Sequence, residues 1–174
     1  MTTPVTEFKA TDDMNGVLIR EPQRYEDARG WLMEFFRVDE LDPALSPVMG
    51  YVSVTLPGVS RGPHEHRDQS DTLFFPGPGD FLVVLWDNRP GSVTHGRRLT
   101  LEAGQTHPVV VVVPPGVVHA YCCVSSQPGT VVNVPNRLYR GEGKRQQPDE
   151  IRHEDLTDSV FGVDFHRLLA ERRQ

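Results

Sequence analysis

Three histidines fall at spacings that can bring them together. The segment RGPHEH at 61–66 places His64 and His66 two residues apart, and PPGVVH at 114–119 ends on His119. Both segments contain or follow a Pro-Gly-Val tripeptide, which indicates two similar β-corners that contribute to one site. On a strand, residues two apart share a face, so His64 and His66 point the same way, as do His119 and Tyr121. The spacing therefore predicts a histidine cluster inside a small β structure.

Such a cluster suits two kinds of chemistry. Histidine titrates near neutrality and can act as a general base that removes an acidic C–H proton. Three imidazoles with one carboxylate suit a divalent transition metal instead. The metal-binding cupins resemble this order along the chain, and the set here would be His64, His66, Asp71 and His119. For Asp71 we favour a carboxylate at the start of a strand or in a turn, and we predict a site without a metal or other cofactor.

Short β-rich runs, punctuated by Pro and Gly, must position these side chains. The runs are 50–56, 72–75, 81–86, 98–102, 109–113, 119–124 and 130–134. Seven short strands at close spacing predict a β-sandwich or barrel. The run VVVVV at 109–113 lacks polar alternation, which predicts burial of both its faces. A helical pattern is confined to the C-terminus, where one face carries Phe161, Phe165, Leu168 and Leu169, and a single helical turn is predicted within 37–46.

Length and composition favour one soluble domain over residues 1–174, with an N-terminal arm at 1–15 and a helical tail at 156–174. The formal net charge is −6, so the chain has no basic field with which to collect a nucleic acid. No apolar run approaches the roughly 20 residues of a membrane span. Cys122 and Cys123 are neighbours and point to opposite faces of a strand, which predicts free thiols and a cytoplasmic location.

Four segments resemble the dTDP-4-dehydrorhamnose 3,5-epimerase family of nucleotide-sugar enzymes. They are DARGW at 27–31 with EFFR at 34–37, GVSRGPH at 58–64, FLVVLWDNRPGS at 81–92 and PPGVVHAY at 114–121. The resemblance implies an all-β cupin-type β-barrel, or jelly roll, with a short C-terminal helix. It implies a homodimeric epimerase or isomerase that acts without metal on a nucleotide-linked (dTDP-like) 4-keto-6-deoxy sugar, in deoxysugar or cell-surface polysaccharide biosynthesis.

The resemblance also implies roles for individual residues. His64 matches the general base, and Arg61 matches an arginine that contacts the substrate. Arg29 and Glu34 match residues that reach the nucleotide from the partner subunit of the dimer, and Trp31 takes an aromatic position that can stack on a base. The predicted catalytic residues are His64 and His66, and the predicted substrate-binding residues are Arg61, Arg29, Glu34, Trp31, His119, Tyr121, Asn133 and Tyr139.

The sequence departs from the family pattern in the second half of the reaction. Tyr139 matches one family tyrosine, but Asn133 stands where the family carries the tyrosine that donates a proton to the opposite face of the sugar. The family carboxylate that orients the base has no match either, and Asp158 or Asp164 are the predicted substitutes. We therefore expect the acid to be His66, His119 or Tyr121.

These departures leave alternatives open. The nucleotide-sugar 3,4-ketoisomerases resemble the chain in their His-x-His pair, so His64 and His66 would act as acid and base on one side of the sugar. A metal-dependent cupin enzyme and a non-catalytic protein that binds sugar nucleotides are alternatives of other classes. The polar, basic stretch at 136–144 is predicted as either a solvated loop or a lid over an anionic ligand.

Overall fold

The computed structural model describes residues 7–172. Within them, one α-helix, α1 (Phe165–Arg172), follows thirteen strands: β1 (Lys9–Ala10), β2 (Leu18–Arg20), β3 (Arg24–Asp27), β4 (Gly30–Met33), β5 (Tyr51–Thr55), β6 (Ser60–Glu65), β7 (Asp71–Phe75), β8 (Asp80–Asp87), β9 (Arg98–Gly104), β10 (Val109–Val113), β11 (Val117–Cys123), β12 (Gly129–Asn133) and β13 (Ile151–Arg152). Short 3₁₀ turns lie at Pro43–Leu45, Glu142–Lys144 and His153–Asp155. Residues 1–6 and 173–174 of the predicted arm and tail lie outside the described residues.

The strands form two antiparallel sheets and a separate hairpin. The six-stranded sheet has the order β1-β2-β10-β7-β12-β5, and the five-stranded sheet has the order β13-β6-β11-β8-β9. The hairpin pairs β3 with β4. Two facing antiparallel sheets with one short C-terminal helix confirm the predicted all-β jelly-roll class.

All seven predicted β-rich runs are strands, and their ends agree to within two residues. The predicted turn within 37–46 is the 3₁₀ turn Pro43–Leu45. The runs did not include β6, although it carries His64, because Gly62 and Pro63 interrupt its β pattern. They also did not include the short strands β1 to β4 and β13.

The main core fills the space between the two sheets. Its largest members are aromatic: the rings of Phe75, Phe81 and Tyr121 contact one another edge to face at 5.3–5.6 Å between centroids. All five valines of β10 are buried, as the absence of polar alternation predicts. Met14 and Val17 also pack into this core, so part of the predicted N-terminal arm belongs to the folded body.

A second apolar layer covers the outer face of the five-stranded sheet. Phe165 of α1 packs there with Trp86 and Cys122, and Leu168 and Leu169 border the layer. These leucines lie on the helical face predicted from the sequence. The layer explains the opposite directions of the two cysteines, because Cys122 faces the helix while Cys123 faces the main core. Both thiols are free.

None of the helices within residues 7–172 is long and apolar enough to cross a membrane.

Candidate functional site

A histidine cluster lies where β6 pairs with β11. The register sets His119 opposite His64, and strand alternation turns His66 to the same side as His64. The ring centroids of His64 and His119 are 4.2 Å apart, and those of His64 and His66 are 5.8 Å apart. The three histidines that the sequence singled out do converge.

Gly62 permits this close pairing. Its φ is +76°, and a Cβ at this position would collide with the backbone carbonyl oxygen of His119. Any other residue would force β6 away from β11 and separate His64 from His119.

Asp71 joins the cluster from the start of β7, where its side chain is only 2% exposed. Its Oδ2 lies 3.3 Å from Nε2 of His66 and 3.4 Å from Nε2 of His119. Burial acts to raise the pKa of this carboxyl, but the two imidazoles outweigh burial and hold the pKa well below its usual range. Asp71 is the first residue of β7, which confirms the predicted strand-start carboxylate, and its side chain also faces the histidines.

Backbone carbonyls fix the orientation of two of the rings. The Nδ1 of His66 donates to the carbonyl of Asp149, and the Nδ1 of His119 donates to the carbonyl of Val117 at 3.2 Å. In both rings the Nε2 atom is therefore turned toward Asp71. Burial acts to lower the pKa of His66, but its contacts with Asp71 and Asp149 outweigh burial and raise it.

Asp149 holds the turn at residues 67–69 beside the cluster, and no sequence pattern predicted this role. Its carboxylate accepts the backbone N–H groups of residues 67–69 at 2.8–3.0 Å. The side-chain amide of Gln69 then donates to Oδ1 of Asp71 at 2.8 Å and lies 3.3 Å from Nε2 of His66. The turn between β6 and β7 thus holds both the histidine and the carboxylate in place.

His64 has a different environment from the other two histidines. Burial, followed by the neighbouring His119 and His66, lowers the pKa of His64 to about 2, so its imidazole is neutral at pH 7 and keeps a free lone pair. Glu150 places Oε1 4.0 Å from Nε2 of His64. The short strand β13 brings it there, because Arg152 pairs with His64 across β13 and β6.

Glu150 therefore lies where the sequence analysis had expected Asp158 or Asp164. Asp158 is exposed, and Asp164 accepts the backbone N–H of Arg167 at 3.0 Å at the start of α1. Neither aspartate forms an ion pair with His64, and the family pattern gave no reason to look in the segment just before β13.

A groove of about 1290 Å³ opens over His64 and His66. The stretch 136–144, predicted as either a loop or a lid, forms much of one wall. Five cationic and four anionic side chains line the groove: Arg67, Arg137, Arg140, Lys144 and Arg152, with Asp68, Glu142, Asp149 and Glu150. Arginine and lysine bind phosphate oxygens through charge-assisted hydrogen bonds, so this wall suits an anionic ligand.

Two tyrosines, Tyr51 and Tyr139, also line the groove. Tyr51 pairs with Asn133 across β5 and β12, and its hydroxyl accepts a hydrogen bond from Nδ2 of Asn133 at 2.8 Å. Burial, and then the charge of Asp71, raises the pKa of Tyr51 to about 12, so the phenol keeps its proton at neutral pH. Asn133, predicted to contact the substrate, is itself only 1% exposed and supports Tyr51.

Two predicted site residues lie away from the groove. The guanidinium of Arg61 lies against β5, where it donates to Oγ1 of Thr55 and to the backbone carbonyl of Val54, both at 2.9 Å. Tyr121 packs edge to face against Phe75 and Phe81 in the main core. Strand alternation correctly put Tyr121 on the same side of β11 as His119, and on that side its ring belongs to the main core.

The three residues predicted to act across a dimer lie on or just after the β3–β4 hairpin. Arg29 is 89% exposed and bonds to Asp27 through its Nε at 3.1 Å. Trp31 is 50% exposed, and Glu34 forms an ion pair with Arg20 at 3.6 Å. None of the three lines the groove of its own chain.

Comparisons with known proteins match the fold and the site region. Residues 11–172 match the family described as dTDP-4-dehydrorhamnose 3,5-epimerase. The probable low-salt glycan biosynthesis epimerase Agl13 of Haloferax volcanii is 32% identical over 140 residues, which cover 80% of this chain and 87% of that protein. The spore coat polysaccharide biosynthesis protein SpsL of Bacillus subtilis is 33% identical over 141 residues, which cover 80% of this chain and 88% of that protein.

Solved structures share the architecture. The structure of dTDP-6-deoxy-D-glucose-3,5-epimerase RmlC from Legionella pneumophila, in complex with dTDP-4-keto-L-rhamnose, superposes with a TM-score of 0.71 at 22% identity. The match covers 84% of this chain and 77% of that one. At this identity the likeness supports the jelly-roll fold.

Proposed function

This chain belongs to the dTDP-4-dehydrorhamnose 3,5-epimerase family, a family of isomerases, and we propose that its substrate is a nucleotide-linked 4-keto-6-deoxy sugar such as a dTDP sugar. The observation that carries the proposal is the partly buried His64 at the floor of a groove that five arginine and lysine side chains also line. The arginine and lysine side chains suit a diphosphate, and a sugar attached to that diphosphate would lie above the histidines.

The proposed reaction begins with proton removal beside the ketone. The C–H bonds at C3 and C5 of a 4-keto sugar are acidic, because the electron pair left behind moves onto the ketone oxygen. His64 accepts the proton as general base, and Glu150 at 4.0 Å stabilises the imidazolium that forms. Arginine and lysine side chains that line the groove can stabilise the negative charge on the enolate oxygen.

Inversion requires a proton from the other side of the sugar. We assign this step to Tyr51, because its phenol lines the groove, stays protonated at neutral pH and has its oxygen held by Asn133. The phenol gives its proton to the carbon as the ketone re-forms, and solvent then returns a proton to the phenolate. Tyr51 thereby supplies the acid that Asn133 cannot.

A second candidate reaction moves the ketone between C3 and C4. It is favoured by the position of His64 and His66, which lie on one side of β6 and both line the groove. One histidine would take the proton and the other would return it on the same side of the sugar. Product analysis by NMR separates the two reactions, since only the ketoisomerase relocates the carbonyl carbon.

We further propose that two chains form a homodimer in which the β3–β4 hairpin of one chain completes the groove of the other. The support is that Arg29, Trp31 and Glu34 are exposed and lie away from their own groove. The edge strand β5 also exposes Val52 and Val54, an apolar surface suited to a second chain.

Exchange of substrate protons with heavy water tests the proposed base. We expect His64→Ala to slow exchange at C3 or C5 of a dTDP-4-keto-6-deoxy sugar by at least about 100-fold, because general base catalysis typically supplies that much. The matched control is His95→Ala, which removes an exposed histidine in the loop between β8 and β9. Wild-type exchange rates in the His64→Ala protein would contradict the assignment.

A further inference from the structure

The four polar side chains of the histidine cluster offer one ligand atom each, and these atoms all lie within 4.8 Å of one another. From this geometry we propose that His64, His66, His119 and Asp71 form a binding site for one divalent transition metal ion. The binding itself does not depend on the function proposed above.

Electrostatics provides the first reason. His66 and His119 each use Nδ1 to donate to a backbone carbonyl, so each neutral ring presents the lone pair of Nε2 to Asp71. The Oδ2 of Asp71 is itself an acceptor, 3.3 Å and 3.4 Å from these two nitrogens. Acceptors that face one another repel, and the Gln69 amide, 3.3 Å from Nε2 of His66, relieves only part of this repulsion, so the three groups favour a cation among them.

A proton on His66 resolves only part of this repulsion. It pairs His66 with Asp71, but Nε2 of His119 remains buried with no hydrogen-bond partner. His119 is 1% exposed, so water does not compensate freely, and an unsatisfied buried nitrogen is destabilising. A metal ion accepts the lone pairs of all three groups, and of His64, at the same time.

The outer contacts of the ligands are those that metal sites use. A ligating histidine commonly donates its other ring nitrogen to a carbonyl, which fixes the tautomer and the direction of the lone pair. His66 and His119 both do so here, through Asp149 and Val117. The remaining oxygen of Asp71 is held by the amide of Gln69 at 2.8 Å. The site is therefore held in position by the surrounding protein.

The ligand types select the class of metal. Three imidazole nitrogens and one carboxylate suit Zn²⁺, Co²⁺, Ni²⁺ or Fe²⁺, whereas Mg²⁺ and Ca²⁺ prefer ligand sets made of oxygen. The two cysteines lie elsewhere, one in the main core and one under α1, so thiolate does not contribute.

Metal binding has a consequence for His64, which rests on the proposed function. The lone pair of His64 cannot hold a metal ion and accept a substrate proton at once. A metal-loaded site should therefore exchange substrate protons more slowly than a metal-free one, and a chelator should restore the rate.

The test of binding needs no substrate. Full-length protein, dialysed against a chelator, is titrated with Co²⁺ and followed by its d–d absorption, and with Zn²⁺ by calorimetry. We expect one equivalent to bind, with a dissociation constant in the micromolar range or below, and Zn²⁺ to raise the melting temperature. His119→Gln and Asp71→Asn should each weaken binding by at least about tenfold. His107→Gln removes an exposed histidine on a distant loop and is the matched control.

Each outcome decides the proposal. Absence of binding at millimolar Co²⁺ and Zn²⁺, or equal binding by wild type and a folded His119→Gln protein, would overturn it. Circular dichroism establishes whether each variant folds, and His66→Gln replaces any variant that does not. Faster proton exchange in the Zn²⁺-loaded protein would overturn the competition at His64. A metal-binding protein with no exchange on any 4-keto sugar would contradict the proposed function and leave the metal site standing.

Discussion

The side chains of Tyr51 and Asn133 are hydrogen-bonded across two neighbouring strands. In the proposed reaction they serve only the second half, the return of a proton, whereas His64 serves the first half. Asn133 donates from Nδ2 to the phenol oxygen of Tyr51 at 2.8 Å, which leaves the phenol hydrogen free to point elsewhere. His64 alone can remove a proton, but only a second group on the other side of the sugar can invert the carbon.

We expect Tyr51→Phe to uncouple these two halves. Exchange of the substrate proton should persist, because His64 is untouched, while formation of the inverted product should fall by about 100-fold or more. Both quantities come from one NMR time course in heavy water. Tyr139→Phe is the control, since Tyr139 lines the groove but exposes half of its side chain. Equal loss of exchange and inversion in Tyr51→Phe would contradict the assignment.

Among individual residues, the sequence predicted those that belong to short, recognisable motifs. His64, His66 and His119 were predicted to share a site, and strand alternation was sufficient reason. Tyr51 and Glu150 were not predicted, because each reaches the site through a strand partner far away in the chain: Tyr51 through Asn133 of β12, and Glu150 through the strand that pairs with β6. A single sequence does not state such pairings.

At the scale of elements, a buried carboxylate fixes the connection between β8 and β9. Asp87 ends β8 with 1% of its surface exposed and accepts from Nε of Arg89 at 2.8 Å and from Oγ1 of Thr94 at 2.6 Å. Burial acts to raise the pKa of Asp87, but the hydrogen bonds from Arg89, Ser92 and Thr94 outweigh burial and hold the pKa well below its usual range.

We expect Asp87→Asn to lower the free energy of unfolding by about 2 to 4 kcal/mol at pH 7, because charge-assisted hydrogen bonds are lost in a buried site. A depressed carboxyl pKa stabilises the fold fully above about pH 4, the ordinary range of aspartate, and this contribution disappears as the pH falls toward the folded-state pKa. The difference in the free energy of unfolding between wild type and Asp87→Asn should therefore become smaller from pH 7 to pH 3.

Urea unfolding at the two pH values measures this gap. Asp158→Asn serves as the control, because Asp158 is an exposed aspartate near the C-terminus. A gap that stays constant or widens toward pH 3 would contradict the pH dependence assigned to Asp87.

The strands were predicted where alternation or continuous apolar runs are long, as in β8, β10 and β11. The sequence did not predict β6, where Gly62 and Pro63 interrupt the β pattern, or strands of two to four residues such as β13. These short strands are stabilised by their sheet neighbours, so their own residues carry little signal. Both hidden strands border the site, which is why the fold was easier to predict than the walls of the groove.

At the scale of the whole molecule, the aromatic side chains that line the groove of a single chain are Tyr51, assigned above to proton donation, and Tyr139. Trp31 is half exposed on the β3–β4 hairpin, with the guanidinium of Arg24 4.9 Å from its ring centroid. A ring in this position can stack on a base if a second chain brings its groove to the hairpin.

A mixing experiment tests whether the hairpin acts across a dimer. We expect the wild type to be a dimer by light scattering, and Trp31→Ala to weaken substrate binding about tenfold or more, since base stacking contributes about 1 to 3 kcal/mol. His64→Ala should be inactive through loss of the base. In a mixed dimer of the two variants, one of the two sites combines an intact His64 with the intact Trp31 of the other chain.

Unfolding and refolding the two variants together should therefore produce wild-type sites at about a quarter of the total, if the chains pair at random. At low substrate concentration the mixture should exchange protons faster than the mean of the two separate variants. A monomer in solution, or a mixture that only averages its components, would contradict the shared groove. The same mixture of His64→Ala with Tyr51→Phe, two residues assigned to one groove of one chain, should yield no such gain and provides the matched control.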